Sequence, residues 1–239
     1  MIKLAISGCQ GRMGSRIMGL AFNDLDFAVV CILETKNHPA INSKIKHLTI
    51  TDNSYQIKEA DVLIEFTTPA ATLEHLKDCL QYKRAMVIGT TGLNTAQIDQ
   101  IKEAAKEVPI VFSPNMSVGV NIFLRLLKET AQKLPSDYLV KIVEAHHIHK
   151  KDAPSGTAKQ LAQIIKEARG EEVKDIQSIR EGEIVGDHRV FFEGPFDIIE
   201  LRHSAKTRDI FAQGALVAAK WTANKRPGFY SMQDVLFAK

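Results

Sequence analysis

Short apolar runs alternate with stretches of helical spacing through the first half of this chain. Lys3–Ser7, Phe27–Glu34, Asp61–Thr67, Ala85–Gly89 and Pro109–Ser113 are rich in Val, Ile and Phe and bounded by Gly, Pro, Thr or Asn, which predicts strands. Between them, Arg12–Phe22, Ala70–Tyr82 and Thr95–Glu107 carry helical spacing. Leu73, Leu76 and Leu80, for example, recur at i, i+3 and i+7. Continuous apolar strands that alternate with amphipathic helices predict an α/β fold with a doubly wound parallel sheet.

Near residue 117 the pattern changes. A helix over Val118–Lys133 is followed by a strand over Tyr138–Ala145, a run of His and Lys, and a second helix over Ser155–Arg169. Gln177–Glu181, His188–Glu193 and Asp197–Ser204 then predict strands. The last two flank Gly194-Pro195, a turn signal, and should form an antiparallel hairpin. This half predicts an α+β unit with an open mixed sheet. A helix over Ile210–Asn224 and a short tail after Arg226-Pro227-Gly228 complete the chain.

Composition narrows the class. The 239 residues are 45% hydrophobic and 25% charged, and 31 basic against 28 acidic residues leave a net charge of +3. That balance, without a Lys/Arg block, gives no reason to expect a nucleic-acid partner. Cys9, Cys31 and Cys79 are widely spaced and form no CxxC, which suits reduced thiols. With no signal-peptide layout and no apolar stretch near transmembrane length, a cytoplasmic protein without a membrane partner is expected.

Two segments carry chemistry. Gly8-Cys9-Gln10-Gly11-Arg12-Met13-Gly14 joins the first strand to the first helix. Glycines there let backbone approach a pyrophosphate at a helix N-terminus, where N–H groups and dipole favour negative charge. Glu34 ends the second strand, twenty residues past Gly14, where a carboxylate accepts hydrogen bonds from an adenosine ribose. Glu34 favours an unphosphorylated ribose, whereas Lys36 offers a point charge to a 2′-phosphate, so NADH is favoured and NADPH stays open. Loops at the carboxyl ends of later strands should add contacts: Gly89, Thr90 and Thr91 from one, Ser113, Pro114, Asn115 and Met116 from another. A tight βα turn without a ligand, and plain polar loops, are the bland alternatives.

The other segment is Glu144-Ala-His146-His147-Ile-His149-Lys150-Lys151-Asp152-Ala-Pro-Ser155-Gly156-Thr157. It combines protonatable groups of tunable pKa with a helix start that supplies free N–H groups, so it suits an acidic small molecule that must be held and protonated. A plain N-cap is compatible with that role. Three imidazoles also raise a metal site. The lysine among them, the lack of cysteine or paired acids at ligand spacing, and the anion-binding helix start weigh against it, and no metal is expected.

Together with Val87-Ile-Gly-Thr-Thr-Gly92 and Asn115-Met-Ser-Val-Gly-Val-Asn121, these motifs resemble the 4-hydroxy-tetrahydrodipicolinate (dihydrodipicolinate) reductases of lysine and diaminopimelate synthesis, in order and spacing over nearly the whole chain. The resemblance implies a Rossmann-like dinucleotide-binding domain over residues 1–117 and 209–239 and a substrate-binding and tetramerisation domain over 118–208. It also implies NAD(P)H-dependent reduction of a cyclic dicarboxylate with loss of water, with His146 as the acid/base group and Lys150 as proton donor, both charged beside the substrate. His147, Gly156 and Thr157, with Ser155 a further candidate, would hold carboxylates. A homotetramer would form through the open sheet, with Val190–Phe192 and Ile198–Leu201 as contact surface. His149 has no assigned role, Lys151 and Asp152 suit a solvated pair, and His203 and Arg208 could add positive charge or serve packing.

The chain departs from the family pattern where relatives often place Arg, at Thr35 and Thr68, which tilts the expectation toward NADH. It also has a reduced connection between Lys174 and Gln177. The alternatives are an NAD-sensing regulator and an oxidoreductase of another small dicarboxylate. An aspartate-semialdehyde dehydrogenase is disfavoured because no cysteine sits in a catalytic motif.

Overall fold

A computed structural model describes residues 1–238. Met1–Val118 and the residues from Asp209 onward form one compact unit, and Gly119–Arg208 form a second. In chain order the first runs β1 (Ile2–Ser7), α1 (Gly14–Ala21), β2 (Phe27–Leu33), β3 (Lys44–Ile45), β4 (Leu48–Thr51), a 3-10 turn (Ser54–Glu59), β5 (Val62–Glu65), α2 (Pro69–Tyr82), β6 (Ala85–Ile88), α3 (Thr95–Ala104) and β7 (Pro109–Phe112). Next come α4 (Val118–Lys133), β8 (Leu139–His146), α5 (Gly156–Arg169), β9 (Asp175–Arg180), β10 (Gly186–Glu193) and β11 (Ile198–Ala205). The chain then returns to the first unit with α6 (Asp209–Thr222), β12 (Gly228–Tyr230) and α7 (Met232–Phe237).

The first unit is a sheet of order β12-β7-β6-β5-β1-β2-β4-β3, parallel except for the β3–β4 pair. Successive strand residues feed two cores on opposite faces. Leu4, Ile6, Val62, Ile64 and Val87 pack with Ile17 of α1 and Ala215 and Ala219 of α6. Ala5, Leu63, Met86 and Ile88 pack with Leu76 and Cys79 of α2 and Ile101 of α3. Burial on both faces explains why these strands are apolar throughout. Strand order reverses at β1, which lies between β2 and β5, so the carboxyl end of β1 borders the crevice where such sheets bind ligands.

Three details depart from the sequence reading. Helix α1 begins at Gly14, which leaves Arg12 and Met13 in the turn. The tail is ordered structure: β12 extends the sheet beside β7, and α7 is started by a reciprocal Ser231–Asp234 capping box. Strands β3 and β4, two and four residues long, were not anticipated.

In the second unit the order is β11-β10-β8-β9, with β8–β9 parallel and the other pairs antiparallel. Helices α4 and α5 cover one face through Phe123, Leu127, Leu161 and Ile165, which meet Ile142, Val190 and Phe192. The hairpin expected as a contact surface divides between two faces. Val190 and Phe192 are fully buried in the unit's own core, with Ile199 and Leu201 packed against them. The uncovered face carries Phe191 and Ile198 of that hairpin, with Leu139 on the same face. Leu139 and Ile198 are 74% and 61% exposed.

Candidate functional site

Backbone geometry builds the glycine turn. Gly8 holds φ at +69°, and a Cβ on Gly14 would lie 2.0 Å from the Gly8 carbonyl oxygen, so no side chain fits where the helix meets the turn. Met13 provides no side-chain cap, and the first turn of α1 has no acidic residue. The Ser15 N–H donates to the Gly11 carbonyl at 3.1 Å, and no side chain caps the helix start, so an external anion can approach it. The Gln10 N–H donates to Glu34 Oε2 at 3.0 Å and the Thr35 N–H to Glu34 Oε1 at 2.8 Å, which fixes the carboxylate beside the turn. Lys36 is exposed. Among the described residues, this uncapped, side-chain-free cradle with a carboxylate next to it fits a dinucleotide.

The remaining expected nucleotide residues divide by what their atoms are already doing. Cys9 is buried, its N–H donates to the Leu33 carbonyl at 3.1 Å, and burial followed by the Glu34 charge pushes its thiol up to about 11. Thr90 Oγ1 is buried and accepts from the Thr67 N–H and the Thr72 hydroxyl, so it ties two loops together. Ser113 Oγ donates to the Asn115 carbonyl, and Asn115 Oδ1 accepts from the Ser117 N–H. The Met116 side chain belongs to the core. Gly11, Arg12, Thr91 and Pro114 are exposed.

In the second unit, β8 ends at His146 and carries it into a buried charged cluster. Glu144 is fully buried; one oxygen meets His146 Nδ1 and the other accepts from Arg180 Nη2 at 2.8 Å. Burial alone would raise the Glu144 pKa. Hydrogen bonds from Arg180 and Ser178 and the charges of His146 and Arg180 outweigh it and hold the carboxyl below its usual range. For His146 the balance runs the other way. Burial lowers its pKa, Glu144 opposes, and Lys150 and Arg180 add to the lowering. The free protein therefore favours a neutral His146, because burial and two cations outweigh one carboxylate.

The loop after β8 carries Lys150, whose Nζ lies 2.9 Å from Asp152 Oδ1. Asp152 thus pairs with Lys150, not with Lys151 as expected, and the hydrogen bond from Lys150 holds its pKa down. His147 is half-buried, and its Nδ1 is buried without a hydrogen-bond partner. Gly156 and Thr157 form the first turn of α5, capped by Ser155, whose Oγ accepts from the Ala158 N–H. Ser155 itself is buried. His149 is 73% exposed and stands outside the cluster. His203 packs near Phe123, and burial lowers its pKa, so it adds no charge at neutral pH.

Glu144, Arg180 and His188 make up much of this cluster, yet sequence reasoning gave them no role. His188 is buried, with its ring edge toward His146 at 5.1 Å between centroids and Nε2 3.3 Å from Ser155 Oγ. Its place on β10 in alternation with Val190 and Phe192 was the available signal. Ligand atoms of Glu144, His146 and His188 lie within 4.8 Å of one another. With Glu144 already paired to the Arg180 guanidinium, this set suits a hydrogen-bond network better than a cation. Among the described residues no helix is long and apolar enough to cross a membrane.

Comparison with known proteins covers both units. Residues 2–116 match the family model described as dihydrodipicolinate reductase, N-terminus, and residues 119–236 that described as dihydrodipicolinate reductase, C-terminus. The chain is 40% identical to the 4-hydroxy-tetrahydrodipicolinate reductase of Syntrophus aciditrophicus and 41% identical to that of Geotalea uraniireducens. Each alignment covers 99% of this chain, with 98% and 99% of the respective relative. A solved structure, dipicolinate-bound dihydrodipicolinate reductase from Paenisporosarcina sp. TG-14, superposes with a TM-score of 0.86 at 25% identity, over 99% of this chain and 100% of that one. Sequence and fold agree along the full length, and the chain belongs to the dihydrodipicolinate (4-hydroxy-tetrahydrodipicolinate) reductase family.

Proposed function

We propose that this chain reduces 4-hydroxy-tetrahydrodipicolinate to tetrahydrodipicolinate in lysine and diaminopimelate synthesis, as a cytoplasmic homotetramer with NADH favoured over NADPH. The observation that carries the chemistry is the buried His146, held on Glu144 at the mouth of a loop that bears Lys150 and ends on the start of α5. The first unit, residues 1–117 with 209–239, holds the dinucleotide, and residues 118–208 hold the substrate.

A bound reduced nicotinamide supplies the hydride. The chain's own residues hold the dicarboxylate and manage protons. N–H groups at Gly156 and Thr157, the Thr157 hydroxyl and His147 donate to carboxylates. Lys150 is the ammonium donor, and His146 in the free protein is a neutral imidazole. The arriving negative charge raises the pKa of His146 toward the protonated form, so both groups are charged beside the substrate. Overall, a hydride takes the place of the hydroxyl, and the proton leaves with the hydroxyl as water. A nucleotide sensor would need neither proton-handling group.

Glu34, fixed by the Gln10 and Thr35 amides, supports NADH by repelling a 2′-phosphate, and Lys36 is the nearby cation that permits NADPH. The exposed Leu139 and Ile198, with the half-buried Phe191 on the same face of the open sheet, support assembly through that face. The test is a coupled assay with freshly generated 4-hydroxy-tetrahydrodipicolinate, following NADH and NADPH oxidation separately. Turnover with kcat/KM for NADH at least equal to that for NADPH is expected. No oxidation of either would overturn the activity, and a strong preference for NADPH would overturn the cofactor assignment.

A further inference from the structure

The buried cluster of the second unit contains more than an acid/base group and a lysine. Arg180, on β9, reaches two elements with one nitrogen: Nη2 donates to Glu144 Oε1 on β8 and to the carbonyl of Asp152 in the loop after β8. Asp152 is in turn the ion-pair partner of Lys150. The Ser155 N–H, at the end of that loop, lies 3.4 Å from Glu144 Oε1. His146 and Lys150 therefore sit on segments tied to each other through Arg180 and Glu144, and not only through the four-residue spacing of the sequence.

The contact at His146 also has a chemical direction. An ionised carboxylate can only accept, so the His146 nitrogen that faces Glu144, Nδ1, carries the hydrogen. In the neutral ring Nε2 then keeps its lone pair. Residue 186 is glycine, and a Cβ there would lie 3.1 Å from Nε2, so a side chain at that position would crowd this nitrogen.

We infer that Glu144 and Arg180 are positioning residues, Glu144 by fixing the His146 tautomer with Nε2 toward the reacting proton, and Arg180 by latching Glu144 to the loop that carries Lys150. The inference rests on the proposed reductase activity for its kinetic consequences but not for the tautomer. The charged or titratable groups that face His146 are Glu144 on its own strand, Arg180 from β9, His188 from β10 and Lys150 from the loop.

The test begins with the wild-type protein, in which 15N-detected imidazole spectra read the His146 tautomer without any substitution. The Nδ1–H form is expected, and a majority Nε2–H form would overturn the proposal. Glu144→Gln should then lower kcat by about 10- to 100-fold with dinucleotide affinity within about twofold, on the scale of a misaligned proton-transfer group. It should also move the His146 limb of the pH–rate profile to lower pH, because the carboxylate that favours the imidazolium is gone. Arg180→Met should lower kcat and raise substrate KM together, with part of the loss restored in Arg180→Lys, since an ammonium can meet Glu144 but cannot supply a planar fork. Variants that fold with unchanged kcat, pH profile and imidazole spectra would overturn the proposal. Absence of wild-type turnover would overturn the reductase activity instead, leaving the wild-type tautomer to decide the Glu144 contact.

Discussion

In the proposed function the glycine turn and the imidazole cluster each hold an anionic molecule, and the two are built by opposite means. In the turn, the decisive feature is the absence of side chains: Gly14 leaves the space that a Cβ would fill against the Gly8 carbonyl, and α1 starts without a cap. In the cluster, the decisive feature is side chains that neutralise and aim one another, with Glu144 between His146 and Arg180. The first site is set by excluded volume and is indifferent to pH. The second is set by burial and charge, so it responds to protonation and to the loss of any one partner.

That contrast can be broken most sharply within the cluster. His146→Gln or Lys150→Ala should lower turnover by about two to four orders of magnitude, the usual contribution of a proton-transfer group, with dinucleotide binding kept. The adjacent, exposed Lys151 should tolerate alanine with turnover within about twofold. Steady-state kinetics beside a dinucleotide fluorescence titration would check both. Equal losses at Lys150 and Lys151 would mean that the loop, not the ammonium, matters.

The pH dependence of stability should also belong to the cluster. Burial, and next the charge of His146, pushes His188 down to about 4 from an ordinary 6.5. The folded state therefore binds this proton less readily than the unfolded chain. The resulting stability is complete above pH 6.5 and is lost as pH falls toward 4, amounting to about 3 kcal/mol at 1.36 kcal/mol per pH unit. His188→Phe should remove this component, so its unfolding free energy should gain on the wild type's by that order between pH 7 and 4. Parallel urea titrations at both pH values read the difference, and an unchanged gap would show that His188 does not titrate in this range.

In the turn, Gly14→Ala should act through space alone. Its methyl group must displace the Gly8 carbonyl, at a cost of about 1–3 kcal/mol of stability or dinucleotide affinity. The effect should not vary between pH 6 and 8, as thermal melts with and without NADH would report.

Legibility in the sequence followed the same division. Strands β1, β2, β5, β6 and β7 were readable because both faces are buried, which makes each a continuous apolar run. Strands β3 and β12, two and three residues long, are too short to carry a period, and only pairing with a neighbour makes them strands. Val190 and Phe192 were readable as apolar, but which face they join depends on where α4 and α5 pack, and that sent them into the core instead of to the surface.

By itself, the sequence determined the features that are local: the alternation that specifies a doubly wound sheet, the glycine turn with Glu34 at the next strand end, and the His146-to-Thr157 run whose residue types suit a protonated, anionic ligand. Only the tertiary structure decided which charges meet. Glu144 and Arg180 are thirty-six residues apart and Ser155 and His188 thirty-three. The pairing of β8 with β9 and β10 brings Arg180 and His188 to one buried place. There, low exposure rather than composition sets the protonation of His146.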